Sequence, residues 1–164
     1  HGPKVIVVDE PTVGLDPEER IRFRNVMTSL GRDRTILLST HIVADLGGAC
    51  KEIALLDGGQ IIYQGTPSGL VSAAVGHVFQ VSVSEMEFAN IENDYEVVST
   101  SVGSGSIVVR GVSHTDQLPD GAEIVQEPSL EESYMAFMAA RGRSGVASQA
   151  EEHIEDNAVN EASQ

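Results

Sequence analysis

The stretch VIVVDEPTVGLDP, Val5 to Pro17, constrains the fold more than any other part of this 164-residue chain. Lys4 to Asp9 is β-branched and unbroken before two carboxylates, Asp9 and Glu10, which predicts a parallel strand buried on both faces. Asp16 followed by Pro17 is a helix N-cap with a first-turn proline. The helix is expected to reach about Leu30, with Phe23, Val26, Met27 and Leu30 on one face. After Gly31-Arg32-Asp33 a second buried strand, Arg34 to Ser39, leads into Thr40-His41. Strand, helix and strand make a βαβ unit with a right-handed crossover. Ligands of such sheets gather beyond the carboxyl ends of the strands. Asp9, Glu10 and His41 therefore belong to one edge, despite their separation in sequence.

Downstream, a helix is expected from Ile42 to Ala49, then a strand from Glu52 to Leu56. Asp57-Gly58-Gly59 turns that strand into a second, Gln60 to Gln64, as a hairpin. Thr66-Pro67 opens a short helix ending near Gly76. From His77 the pattern changes. Phe79, Val81 and Val83 alternate with Val78, Gln80, Ser82 and Ser84, as in a half-exposed strand. A short helix around Glu85 to Asn90 follows, then a hairpin of Tyr95 to Ser101 and Ser106 to Arg110, and a weaker strand at Glu123 to Gln126. Ser129 and Glu132 form a capping box for a helix bearing Leu130, Tyr134, Phe137 and Met138, which Gly142 can stop. The expected organisation is an α/β region over 1–76, a small α+β domain over 77–141, and an acidic tail over 142–164. That tail holds too few large apolar residues to offset its chain entropy, which predicts disorder.

A net charge of −15 argues against a nucleic-acid partner, because phosphate contacts need clustered Lys and Arg. No apolar run approaches the roughly 20 residues of a spanning helix, so direct membrane insertion is not expected. The single cysteine, Cys50, excludes an internal disulfide framework and suits a reducing cytosol. Cys50 reads as a small packed residue rather than a nucleophile. His77, His114 and His153 lack neighbours at zinc-ligand spacing. A carboxylate ending a buried strand can hold magnesium through water while its neighbour orients a nucleophilic water. Taken alone, Asp9-Glu10 is equally readable as two acids that end a strand, and His41 reads more readily as a cap or surface residue than as a catalytic one.

In combination, DEPTVGLDP, a helix, a strand and STH resemble the ATP-binding subunits of ABC transporters, over most of Gly2 to about Ala74. The fold that this resemblance implies is part of a P-loop NTPase sheet, followed by the small α+β domain and the tail. In that family DE closes the Walker B strand, GLD forms the D-loop and STH carries the switch histidine. The resemblance implies that Asp9 is the carboxylate associated with magnesium, through water, and that Glu10 is the general base for the attacking water. It makes Asp16 the D-loop aspartate at the interface between two nucleotide-binding domains. His41 becomes the residue that contacts the γ-phosphate and supports Glu10. The segment 77–141 is similar, more loosely, to the C-terminal extension of transport ATPases whose membrane subunit is a separate polypeptide, with SLEESYMAFM as its closing helix.

The sequence contains no GxxxxGK[ST] loop and no LSGGQ-like signature, and it opens on His1 rather than Met. The expectation is a C-terminal portion of a longer reading frame that neither hydrolyses ATP nor binds ATP and magnesium tightly by itself. The intact protein would be an ATPase that takes both. Its partners would be a membrane-spanning permease and a second nucleotide-binding domain, in a homodimer at the cytoplasmic face of the membrane. The two apolar parallel strands should then need a partner or more of their own polypeptide to cover them. The alternative is a non-catalytic interaction or dimerisation module in which 77–141 does the work and the first region is a remnant. A DNA-repair or translation ATPase of the same superfamily is a third reading, disfavoured by the lack of its usual insertions.

Overall fold

The computed structural model describes residues 2–46, 50–103, 105–113, 115 and 117–142. The disorder expected of the tail beyond Gly142 concerns residues outside those described. The protein is mixed α/β and divides into two compact units, 1–67 and 68–164.

The first unit contains β1 (Val5–Asp9), α1 (Pro17–Leu30), β2 (Thr35–Ser39), β3 (Ile53–Asp57) and β4 (Gln60–Gly65). β1 and β2 pair in parallel from Val5 opposite Thr35 to Asp9 opposite Ser39. The two strands thus end level, and the residues that follow them leave the sheet side by side. Burial on both faces was expected and does not occur. Ile6, Val8, Ile36 and Leu38 are half-buried, but Val5, Val7 and Leu37 are 59%, 67% and 63% exposed. The sheet has two strands, and among the described residues its second face lacks the covering layer that a parallel sheet normally carries. α1 starts as expected. Asp16 is its N-cap, accepting from Glu19 N at 2.8 Å while Glu19 Oε2 accepts from Asp16 N at 3.3 Å. Phe23, Met27 and Leu30 are half-buried, whereas Val26 faces solvent.

Of the helix expected from Ile42 to Ala49, the described residues form a 3₁₀ turn, Val43–Leu46, and Gly47 to Ala49 lie outside the described residues. Thr40 Oγ1 accepts from Ile42 N at 3.1 Å, so a side chain takes up the backbone donor where the turn begins. β3 and β4 form the antiparallel hairpin, with a bulge between Leu55 and Leu56. Gly58 and Gly59 both adopt positive φ, as a two-residue type I′ connection requires.

The second unit includes β5 (Val78–Val83), α3 (Glu85–Asp94), β6 (Glu96–Val102), β7 (Ile107–Val112), β8 (Glu123–Ile124) and α4 (Leu130–Ala139). α2 (Pro67–Ala74) runs into it. The strands form an antiparallel sheet in the order β6-β7-β5-β8. Phe79, Val81 and Val83 join Val109 of β7 and Ile91 of α3 in one apolar cluster. Val78 was expected on an exposed face, but it is fully buried with Val112, Ala74 of α2 and Ala136 and Ala139 of α4. The sheet is therefore covered on both faces, and only Gln80 and Ser82 of β5 remain open to solvent. Burial of Phe79 contributes about 1.5–3 kcal/mol, and its ring meets Tyr95 edge-on at 5.2 Å between centroids. Gly111 permits this packing. A Cβ there would come within 2.8 Å of both Glu96 O and Phe79 Cζ.

Candidate functional site

Asp9 and Ser39 close the ladder at the carboxyl ends of β1 and β2, and Ser39 Oγ donates to Asp9 Oδ1. One residue on, Glu10 N donates to Ser39 O at 2.9 Å, which keeps the two departing segments together past the last sheet pair. Glu10 then turns sharply at φ +45°, the only described non-glycine residue with positive φ. Such a conformation costs about 1–3 kcal/mol and persists where surrounding contacts over-determine it.

The turn brings Glu10 Oε2 to 3.0 Å from His41 Nδ1. This is an ion-pair distance rather than an aligned hydrogen bond, because Oε2 is buried and accepts no hydrogen bond from the described residues. The carboxylate is about one third exposed and the imidazole mostly so, at 35% and 72%. One carboxylate oxygen is thus shielded, unfilled and held beside an exposed ring at the end of a parallel strand pair. A buried acceptor without a donor is costly.

Beyond Glu10, Val13 N donates to Glu10 O at 3.3 Å and Leu15 N to Thr12 O at 3.2 Å. Gly14, at φ +80°, turns the chain towards α1. Thr12 Oγ1 donates to Asp45 Oδ2 at 2.6 Å, and both residues are buried. Asp9, Glu10 and His41 are therefore gathered at one edge. Asp16 is not bonded to them: its carboxylate is exposed and caps α1. Sequence reasoning missed Thr12 and Asp45. The signal available was a hydroxyl two residues after Glu10 and a carboxylate four after His41, and only the level ends of β1 and β2 make them neighbours.

The donor set suits a hard cation such as magnesium in kind. Asp9 offers an exposed carboxylate steadied by Ser39. Among the described residues no group of three His, Cys, Asp or Glu converges, so further ligands would have to be water or phosphate oxygens. Cys50 stands apart from this chemistry: burial pushes its thiol above the ordinary range, which disfavours the nucleophilic thiolate. No described helix is long and apolar enough to cross a membrane.

No protein-family model matches the chain. Curated relatives do. The chain is 36% identical over 77 residues to Nod factor export ATP-binding protein I of Paraburkholderia xenovorans, a match covering 46% of this chain and 25% of that protein. The protein of the same name from Ralstonia nicotianae is 39% identical over 77 residues, covering 46% of this chain and 24% of the relative. That of Rhizobium leguminosarum bv. viciae is 36% identical, with 46% and 25% covered. The chain thus spans about a quarter of the length of the curated relatives it matches.

Proposed function

We propose, from this kinship with ABC-type ATP-binding proteins, that the chain supplies the hydrolytic edge of an ABC transporter ATPase. ATP would be its substrate and a separate permease would carry the transported molecule. The observation that carries the reading is Glu10: a left-handed carboxylate at a strand end, with one buried, unfilled oxygen 3.0 Å from His41. In this reading the part of the Glu10 carboxylate that solvent reaches accepts a hydrogen from the water that attacks the γ-phosphate, and so orients its oxygen for in-line displacement, while buried Oε2 stays beside His41. The His41 ring, mostly exposed beside that carboxylate, would contact the phosphate and keep Glu10 in place. Asp9, with Ser39 on one oxygen, would hold magnesium through water. When bound, that ion neutralises the charge on the phosphate oxygens.

The fold of residues 1–76 is, in this proposal, the part of a P-loop sheet that follows the nucleotide cradle, and 77–141 is an extension attached to it. Asp16, exposed at the start of α1, would meet a second nucleotide-binding domain in a dimer. The assembly would work at the cytoplasmic face of the membrane. The export relatives make a permease the natural partner.

The test compares Glu10→Gln with the parent in the complete ATP-binding protein that contains this sequence. Loss of a general base lowers turnover by about 10²–10⁴-fold, while ATP binding persists. Turnover equal to the parent's would remove Glu10 from the chemistry.

A further inference from the structure

We infer that Thr12 and Asp45 form a positioning clamp, which sets the distance between Glu10 and His41 by bonding the two segments beyond them. The inference rests on the proposed role of Glu10 and adds residues that do not touch substrate. Between the level strand ends and this bond, Glu10 and His41 are bracketed. On one side stand the Asp9–Ser39 pair and the bond from Glu10 N to Ser39 O. On the other, Thr12 Oγ1 meets Asp45 Oδ2 at 2.6 Å across 33 residues of sequence.

The chemistry of the pair suits fixing geometry better than supplying general cohesion. Thr12 is 2% exposed and Asp45 9%, so a carboxylate has been taken out of water to make a short, directional bond. Hydrogen bonds to an ionised acceptor are short and strong, and burial makes an unpartnered carboxylate costly. Two apolar side chains would cohere at least as well without that cost. A bond to Thr also fixes more than a bond to a long side chain, because a β-branched residue is stiff at χ1. Holding Oγ1 therefore holds the backbone at residue 12, two residues from Glu10. Asp45 is anchored in turn by its own N–H, which donates to Ile42 O at 3.0 Å, next to His41. The left-handed turn at Glu10 needs outside contacts to persist. The ladder constrains its entry, and the clamp constrains its exit.

The first readout needs no nucleotide. Amide hydrogen exchange is measured on the chain for Glu10, Val13 and Asp45, with Val8 and Leu37 of β1 and β2 as references. Thr12→Val is expected to speed the first three about tenfold or more and to leave the references within about twofold, because the opening is local. Thr12→Ser, which keeps the hydroxyl, restores slow exchange. Unchanged exchange at the three amides in Thr12→Val, or equal acceleration of the references, overturns the clamp.

The second readout is ATP turnover by the complete protein. Thr12→Val should lower kcat roughly ten- to a hundredfold at nearly unchanged KM, as expected when a catalytic group is misplaced by a fraction of its reach. Thr12→Ser should recover it. If exchange accelerates while kcat stays at the parent value and Glu10→Gln is inactive, the bond does not position the base. If Glu10→Gln itself turns over normally, the hydrolytic reading fails, while the exchange result still decides whether Thr12 and Asp45 hold the turn.

Discussion

Replacing Glu10 by glycine should stabilise the unit that contains it while removing the group proposed to do its chemistry. The sign follows from three features of the site. Glu10 is an L-residue at φ +45°, a conformation that costs about 1–2 kcal/mol relative to the right-handed region and nothing steric for glycine. Its Oε2 is buried without a donor, a desolvation penalty of about 1–3 kcal/mol that disappears with the side chain. Against these stand the extra unfolded-state freedom of glycine, about 0.5–1 kcal/mol, and loss of the His41 contact. That contact involves an imidazole 72% exposed, so solvent screening limits it to about 0–1 kcal/mol. The midpoints of these ranges leave a gain of about 2 kcal/mol, where an ordinary substitution loses about 1 kcal/mol. Native-state amide exchange along β1 and β2 reports this unit alone, and should slow about thirtyfold in Glu10→Gly. Glu10→Ala separates the causes, since it removes the unfilled oxygen but keeps a Cβ in the left-handed turn, and should fall between parent and glycine. Faster exchange in Glu10→Gly than in the parent would refute the strain argument.

In the second unit, Arg110 Nη2 donates to Glu132 Oε2 at 3.1 Å and Nε stands 2.7 Å from Oε1, with side-chain exposures of 34% and 6%. Glu132 also accepts from Ser129 N at 2.7 Å. Arg110→Met strands a buried carboxylate and should cost about 3 kcal/mol, whereas Glu132→Gln keeps an acceptor for the cap, leaves a guanidinium that water can reach, and should cost about 1–2 kcal/mol less. Urea unfolding followed by tyrosine fluorescence checks the order, the chain having no Trp; equal losses would contradict it. Glu87, which accepts from the backbone and side chain of Ser84, is held below the ordinary glutamate range by those bonds. A depressed folded-state value means that this cap's contribution is present above about pH 4.3, the unfolded value, and is lost as pH falls through the lower folded one. Carboxyl NMR titration should show Glu87 rising towards the ordinary range in Ser84→Ala, and no movement would show that the hydroxyl is not the cause.

The local regularities were legible because local chemistry sets them. An unbroken apolar run fixed β1, Asp16-Pro17 fixed the start of α1, and Asp57-Gly58-Gly59 fixed the hairpin. Ser129 and Glu132 announced α4 in the same way. The shared edge of Asp9, Glu10 and His41 also followed from topology, since parallel strands end on one side of their sheet. The misses arose where distant packing decided. Val78 alternates as an outward residue, and only α2 and α4 arriving over that face bury it. α3 extends to Asp94, past the end expected at about Asn90, because Ile91 packs into the core. Of the helix expected from Ile42, the described residues form a 3₁₀ turn where Thr40 bonds the backbone first. Neither the left-handed turn at Glu10 nor the bond from Thr12 to Asp45 leaves a local trace. Each depends on the strand ends being level.

The strand order β6-β7-β5-β8 also has a consequence for synthesis at the ribosome. β5 is made first, yet both its neighbours come later: β7 begins at Ile107 and β8 at Glu123. β6 and β7 can zip locally across their short turn, whereas β5 must wait for a partner beyond an intervening helix and strand. Until then Phe79, Val81 and Val83 emerge with no ladder to join, in a window when an apolar strand is exposed to self-association. Gln80 and Ser82, set between them, break that run with polar groups. They are the residues of β5 that stay on the surface when the sheet closes, so the nascent chain and the finished protein use the same two side chains to keep this strand in water.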